Sequence, residues 1–229
     1  MLKRKWTVLC YLLQQRGLIN GVLCGCFMLA KRFYNIAAED LAQAYGYILF
    51  GVRTRIKLNA LVIGERYIHM GKHCRFGSYL WLAAMVDGEQ GRQGTQGIFF
   101  GDRVEMNDFI HIGCVNRIEI GNDVLMGSKI YITDHNHGEY KGPSPSSPDE
   151  PPADRHLTTG QAIKIGDRVW IGEFVTILPG ITIGEGSIIG THSTVTHDIP
   201  PNSIAVGSPA RVIKQWNAHT QTWDNVTRK

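Results

Sequence analysis

Between residues 165 and 195 an aliphatic side chain recurs at every sixth position: Ile165, Ile171, Ile177, Ile183, Ile189 and Val195. A period of six fits neither the 3.6-residue helix nor a simple alternating strand. It fits a unit of one short strand and one corner, repeated so that successive units stack and bury their apolar positions. The pattern therefore predicts a β-solenoid.

The same phase appears upstream in three blocks of three hexads: Met70, Phe76, Leu82; Phe100, Met106, Ile112; and Ile120, Met126, Ile132. If three hexads make one triangular coil, the chain contains about five coils. The breaks between blocks fall between whole coils and add 12, 2 and 27 residues to the usual step of six. All three insertions should therefore leave from one corner of the prism, and we expect a functional site there.

Two further positions of the hexad carry a pattern. Glycine follows the aliphatic residue in ten of the fifteen hexads, which suggests that these glycines supply the unusual backbone dihedrals of the corners. Four residues after the aliphatic residue comes a second apolar position, which would give two core side chains per strand. Seven residues fill it: Val104, Ile110, Val124, Ile130, Val169, Val175 and Ile181.

Composition narrows the function classes. The formal net charge of +4 is mild and dispersed over 229 residues, which argues against nucleic acid and suits an anionic small-molecule ligand. The five cysteines are odd in number and include no Cys-x-x-Cys pair, so neither a disulfide framework nor a zinc ribbon is indicated. We expect free thiols that behave as small buried hydrophobic side chains. They are Cys10, Cys24, Cys26, Cys74 and Cys114.

About 55 residues precede the repeat. They contain two apolar stretches, residues 6–13 and 18–30, separated by Gln14, Gln15 and Arg16. An apolar run of 13 residues is shorter than the roughly 20 that cross a bilayer, and no small-residue cleavage site follows it. We expect helices that either cap the open end of the solenoid or contact a membrane surface through the basic residues 1–32.

The longest insertion runs from Asp134 to Gly160 and contains five prolines. Such a composition disfavours helix and central strand. Because the hexad phase resumes cleanly at Ile165, an ordered or semi-ordered loop that projects over a neighbouring surface is a better interpretation than a linker.

Three features together resemble one known family: the hexads with the segment GDRVWIGEFVTILPGITIGEGSIIG, a His at the start of the long loop, and the ending THDIPPNSIAVGSPARVIKQW. They resemble the left-handed β-helix acyltransferases, in particular the galactoside, maltose and nodulation-factor acetyltransferases and bacterial polysaccharide O-acetyltransferases. The resemblance covers residues 63–216. Together with the apolar stretches before the repeat, it predicts a helical cap at 1–55, a left-handed parallel β-helix at 56–212 with a protruding loop at 134–160, and a C-terminal helix or tail at 213–229.

The resemblance also implies site residues. His135 would be the general base that deprotonates an acceptor hydroxyl. Asn107 and His137 would contact the acceptor, although Asn107 could equally serve a corner conformation. Trp170, Thr196, Arg211 and Lys214 would hold acetyl-CoA. The chain departs from the family at two positions. Val115 stands where the galactoside enzymes have an acidic sugar-contacting residue, and His197 stands where the family has another basic residue after the threonine that matches Thr196.

The sequence thus predicts a cytoplasmic, metal-independent acetyl-CoA O-acetyltransferase that acts on a saccharide of bacterial surface polysaccharide. Because family members are trimers, the resemblance also implies a homotrimer with active sites between subunits. Three alternatives stay open: an N-acetyltransferase on an amino-sugar nucleotide, a metal-dependent hydratase with His111, His135 and His137 as ligands, and a non-catalytic scaffold.

Overall fold

The computed structural model describes residues 2–86, 94–158 and 160–226, with side chains from residue 26 onward. The chain divides into two compact units, Met1–Ala42 and Gln43–Lys229. Helix α1 (Leu2–Phe50) is continuous. The helix prediction is confirmed, and the polar residues at 14–16 do not end the helix because Gln and Arg are good helix formers.

The cap and membrane-contact hypotheses for the first residues stay predictions. The side chains of residues 1–25, including Lys3, Cys10 and Cys24, lie outside the described part of the chain. Over the residues that the structure describes, no helix combines the length and apolar character that a membrane span requires. Within the second unit, Tyr45 and Phe50 pack against the apolar core.

Three sheets form the faces of a β-helix, and their strands pair in parallel except at the C-terminal end of the third sheet. Sheet I contains β1 (Leu61–Ile63), β4 (Trp81–Ala84), β7 (His111–Cys114), β10 (Tyr131–Thr133), β13 (Thr176–Ile177) and β16 (Thr194–Val195). Sheet II contains β2 (Ile68–His69), β5 (Gly97–Phe100), β8 (Arg117–Ile120), β11 (Ile163–Ile165) and β14 (Thr182–Ile183). Sheet III contains β3 (Arg75–Phe76), β6 (Glu105–Met106), β9 (Leu125–Met126), β12 (Trp170–Ile171), β15 (Ile188–Ile189), β17 (Ser203–Val206), β18 (Arg211–Asn217) and β19 (Thr222–Asn225).

The described strands agree with the predicted count of about five coils. Strands β1–β15 make five complete coils with one strand in each sheet, and β16 and β17 begin a sixth. Two of these strands, β1 and β17, lie outside the run of regular hexads. A short 3₁₀ turn, Glu65–Tyr67, links β1 to β2.

The interior is formed as the hexads predict. Ile112, Ile132 and Ile177 are fully buried, and the second apolar position of each hexad is buried too, as at Val104 and Ile130. Each such side chain contributes roughly 1.5–3 kcal/mol by leaving water. Apolar side chains thus fill most of the interior, and the second position is taken by buried serines in the last coils, Ser187 and Ser193.

The role predicted for the hexad glycines is wrong. The left-handed dihedrals fall two residues later, at non-glycine positions such as His73 (φ 62°) and Phe109 (φ 59°). The glycines are needed for a different reason, which is close stacking of the coils. A Cβ on Gly71 would lie 2.0 Å from the carbonyl oxygen of Gly101 in the next coil.

The predicted C-terminal helix is also wrong. Strand β18 pairs antiparallel with β17, and β19 pairs antiparallel with β18. The β-branched and aromatic residues of this segment, such as Val212, Ile213 and Trp216, favour strand over helix. Without this segment, β17 would leave its backbone N–H and C=O groups unpaired at the edge of sheet III, and pairing with β18 satisfies them. Residues 227–229 lie outside the described chain.

The predicted alignment of the three insertions is confirmed. Each one joins a strand of sheet I to the next strand of sheet II, at β4–β5, β7–β8 and β10–β11. They therefore leave from the same corner of the prism, which we call the insertion corner. Residues 87–93 of the first insertion lie outside the described chain.

Candidate active site

His135 lies at the insertion corner, where the chain leaves β10 and enters the long loop. Its side chain is only 8% exposed, and the neighbouring Asp134 and Thr133 are buried as well. Three consecutive buried polar residues at a strand end are costly unless each is hydrogen-bonded. Their partners therefore define the site.

The Asp134 carboxylate organises the two-residue insertion of the coil below. It accepts backbone N–H hydrogen bonds from Val115, Asn116 and Arg117, each at 2.9 Å. The thiol of Cys114 donates a further bond at 3.4 Å. Burial alone would raise the pKa of Asp134, but the hydrogen bonds from His135 and from these donors outweigh it and lower the pKa.

The imidazole of His135 is held through Nδ1. That atom lies 3.0 Å from Oδ1 of Asp134 and 3.2 Å from Oγ1 of Thr133. An ionised carboxylate can only accept hydrogen bonds, so Nδ1 carries the proton and its N–H donates a hydrogen bond to Asp134. In the neutral ring, Nε2 is then the basic nitrogen. This is the tautomer that a general base requires.

A second histidine lies beside this base. A Cβ built on Gly113 would lie 3.3 Å from Cε1 of His135 and 3.8 Å from Nε2 of His111. Both rings therefore border the same space above Gly113. Burial lowers the pKa of His111, and the charge of a protonated His135 would lower it further.

Hydrogen bonds within the long loop hold its two ends together and also link residues near its tip. His137 and Leu157 form an antiparallel bridge, and the amide of Thr158 donates to the carbonyl of Asn136 at 3.0 Å. Nearer the tip, the Arg155 guanidinium donates to the carbonyl oxygens of Ser147 (3.0 Å) and Glu150 (2.7 Å). The loop forms neither a helix nor a strand over the described residues, as its composition predicts.

The predicted acceptor residues are separated within the chain. His137 is exposed, and its carbonyl accepts a hydrogen bond from the Tyr140 hydroxyl. Asn107 is exposed after β6, at the corner between sheets III and I, whereas His135 lies between sheets I and II. The φ angle of Asn107 is not positive, so the proposed left-handed corner role does not apply there. One chain thus does not bring Asn107 to His135.

The predicted donor residues fall into two places. Trp170 is 51% exposed on sheet III, and the pairing series Trp170, Ile188, Ile204, Lys214 places Lys214 in the same row of that sheet. Arg211 begins β18 opposite Val206 and is exposed. Thr196 instead follows β16 at the insertion corner, where its hydroxyl lies 2.7 Å from Nδ1 of His197.

Sequence reasoning missed Asp134, Thr133 and Gly113. A signal existed in the segment ITDHNH, where an Asp directly precedes the loop histidine and follows a buried strand. The thiols of Cys74 and Cys114 are free and buried, as predicted, whereas Cys26 is exposed. Burial raises the pKa of Cys114, which stays a neutral thiol. Among the described residues, no cluster of three His, Cys, Asp or Glu side chains is arranged to hold a metal ion.

Comparison with known proteins identifies the family and the fold. The sequence profile described as bacterial transferase hexapeptide (six repeats) matches residues 162–197. The chain belongs to the hexapeptide-repeat family of bacterial transferases. Its architecture is the left-handed parallel β-helix.

Two relatives illustrate the sequence likeness. A protein of Escherichia coli K12, named as a candidate lipopolysaccharide biosynthesis O-acetyl transferase (WbbJ), is 45% identical over 127 residues, which are 56% of this chain and 65% of that protein. The chain therefore spans less than two thirds of this relative's length. A maltose O-acetyltransferase from Clostridium difficile 630 is 33% identical, covering 66% of this chain and 71% of the other, with a TM-score of 0.49.

A third protein shares the fold at lower identity. The N-acyltransferase AntD from Bacillus cereus has a TM-score of 0.61 and is 19% identical, covering 77% of this chain and 89% of the other. This likeness shows the architecture alone.

Proposed function

We propose that the protein is an acetyl-CoA-dependent O-acetyltransferase that modifies a saccharide hydroxyl. The observation that supports this most directly is the Asp134–His135 pair at the insertion corner. A buried carboxylate fixes Nδ1–H and leaves Nε2 as a base, and a base is what a poorly nucleophilic hydroxyl requires near neutral pH.

The reaction needs no covalent enzyme intermediate. His135 Nε2 removes the proton of the acceptor hydroxyl as its oxygen attacks the thioester carbonyl carbon. The tetrahedral adduct then collapses, the carbon–sulfur bond breaks, and the thiolate leaves. The imidazolium returns its proton to the sulfur, which yields the acetyl ester and free CoA. Asp134 stabilises the imidazolium while it exists, because its own carboxylate stays ionised.

The chain offers residues that suit the donor. Acetyl-CoA carries a flat adenine ring and several phosphates. Trp170 presents an exposed aromatic ring on sheet III, and Lys214 lies in the same row of that sheet. Arg211, on the same strand as Lys214, adds a guanidinium suited to a phosphate.

The acceptor is a saccharide of a bacterial surface polysaccharide in this proposal. The name of the E. coli relative supports that class, because it refers to O-acetylation in lipopolysaccharide biosynthesis. Val115 occupies the position where the galactoside enzymes have an acidic residue, so we expect a different sugar from theirs. Because acetyl-CoA is made in the cytoplasm, we place the reaction there, and we propose peripheral membrane contact through residues 1–32.

We further propose a homotrimer in which two copies complete each site. Asn107 and His135 lie at different corners of one prism, so a second copy is needed to bring an Asn107 to a His135. Threefold closure of such head-to-tail contacts gives a trimer.

The proposal is tested with the purified chain, acetyl-CoA and surface polysaccharide from which esters have been removed by mild alkali. We expect CoA thiol release together with an acetyl group that mild alkali removes again. His135→Ala should lower kcat by about 10²–10⁴ and leave acetyl-CoA binding unchanged. An alkali-stable acetyl group would indicate N-acetylation, and normal turnover of His135→Ala would exclude the mechanism.

A further inference from the structure

Trp81, His111 and Tyr131 occupy one register position on three successive strands of sheet I. Trp81 pairs with His111, and His111 pairs with Tyr131. The next residue on each strand is fully buried, so these three side chains point outward because neighbouring residues of a strand alternate faces. We call this set the aromatic ladder.

The three ladder rings contact one another, and the two outer rings are exposed. Trp81 and His111 stack with centroids 4.0 Å apart and planes 3° from parallel, and Tyr131 meets His111 edge-on at 5.1 Å. Trp81 is still 42% exposed and Tyr131 41% exposed. A group of large apolar rings left open to water at one place on a sheet marks a contact surface for a ligand or partner.

The ladder adjoins the base. Nε2 of His111 and Cε1 of His135 both lie within 4 Å of the same point above Gly113, so these two atoms are at most about 7 Å apart. That separation is short enough for one sugar ring to reach both residues. Any molecule on the ladder is thus a neighbour of the group that His135 deprotonates.

We propose that the aromatic ladder is the acceptor subsite, which binds the C–H face of a pyranose ring while a hydroxyl of that ring reaches His135. This inference rests on the proposed function and names where its acceptor lies. A pyranose ring has C–H bonds on one face and hydroxyls at its rim, and the C–H face packs on the negative face of an aromatic ring.

His111 has a second role in this subsite. Its lowered pKa keeps the ring neutral near pH 7, so Nε2 can bind a sugar hydroxyl without placing a positive charge beside His135. The groups that face it are His135, Trp81 and Tyr131. The stack on Trp81 fixes the orientation of the His111 ring.

The two exposed tryptophans allow a matched test, since Trp81 lies on sheet I and Trp170 on sheet III. Trp81→Ala and Tyr131→Ala should each raise the acceptor KM by roughly tenfold, with the KM for acetyl-CoA unchanged. Trp170→Ala should raise the KM for acetyl-CoA and leave the acceptor KM unchanged. His111→Phe keeps the stack but removes Nε2, and it should raise the acceptor KM while the unfolding midpoint stays near that of the wild type.

A binding measurement separates this inference from the proposed function. Saturation-transfer NMR with methyl glucoside, methyl galactoside and methyl rhamnoside reports sugar contact without turnover. We expect at least one glycoside to contact the wild type and His135→Ala but not Trp81→Ala. The ladder would be overturned if Trp81→Ala kept both the glycoside contact and the acceptor KM of the wild type. If His135→Ala lost turnover in the same experiments, the proposed function would still stand. Absence of glycoside contact in the wild type would also overturn the ladder. A lower sedimentation coefficient for Trp81→Ala would identify the ladder as a contact between copies instead.

Discussion

The Asp134 carboxylate accepts a hydrogen bond from Nδ1 of His135 at 3.0 Å while it also binds the three backbone amides of residues 115–117. One buried side chain thus connects two insertions of the insertion corner, the two-residue turn and the long loop. The turn holds the carboxylate, and the carboxylate holds the base. The geometry of His135 therefore depends on a turn that lies almost twenty residues earlier in the chain.

Asp134→Asn should lower kcat by about 10²–10⁴ with little change in the KM for acetyl-CoA. An amide in place of the carboxylate can donate to Nδ1, which favours the wrong tautomer of His135 and no longer stabilises the imidazolium. Steady-state kinetics over a range of pH measures the effect. A near-normal kcat would show that the pair does not set the basicity of His135. Asp123→Asn serves as the control, because Asp123 pairs with Arg103 on the surface.

Asp134 should also make folding stability depend on acid pH. Its pKa is lowered in the folded protein, so its contribution is present above the unfolded value near 4 and is lost as the pH falls through the folded pKa. The free energy of urea unfolding of the wild type should therefore fall as the pH is lowered below about 4, and that of Asp134→Asn should fall less. Parallel curves for the two proteins would contradict the assignment.

Gly71 and His73 test the revised role of the hexad glycines. Gly71→Ala should lower the free energy of unfolding by about 2–4 kcal/mol, because its Cβ would overlap the backbone of the next coil. His73→Gly should change it by less than about 1 kcal/mol, since glycine accepts the left-handed φ of that position and loses little packing. Chemical denaturation of both variants decides this. The opposite order of effects would restore the dihedral explanation.

The loop tip should be dispensable for folding. We expect a short Gly/Ser turn in place of residues 142–153 to leave a cooperative transition with Tm within a few degrees. The bridge between His137 and Leu157 lies outside the deletion and still closes the loop. The acceptor KM should rise or kcat should fall, because the loop would no longer shield the site around His135 from water. Failure to fold would make the loop part of the core, and normal activity would place it outside the site.

Arg211→Ala should raise the KM for acetyl-CoA more than the KM for acetyl-dephospho-CoA. The guanidinium is exposed and suited to the 3′-phosphate that the second donor lacks. Arg103→Ala is the matched control, since Arg103 is an exposed arginine already paired with Asp123. Equal effects of Arg211→Ala on both donors would reject a phosphate contact.

The periodicity of the chain predicts its architecture well, and the site only in part. Ile112, Ile132 and Ile177 recur in a phase that a triangular coil must bury, so the β-helix and its insertion corner follow from spacing alone. His135 could be named because a loop histidine at that corner resembles the base of a known family. The segment after Val206 lacks the hexad phase, and the prediction was wrong there, because a pair of strands takes the place of the predicted helix.

The sequence by itself determined the solenoid, the corner from which its insertions leave and the histidine beside them, because local periodicity decides which side chains face inward. Only the tertiary structure decided what lies around that histidine. Asp134, Gly113 and His111 acquire their roles through contacts between different coils. The hexad glycines are a second example. They are required because a Cβ would overlap the backbone of the next coil, and not because of their own backbone dihedrals. Contacts of this kind depend on how the coils stack, which no single stretch of sequence contains.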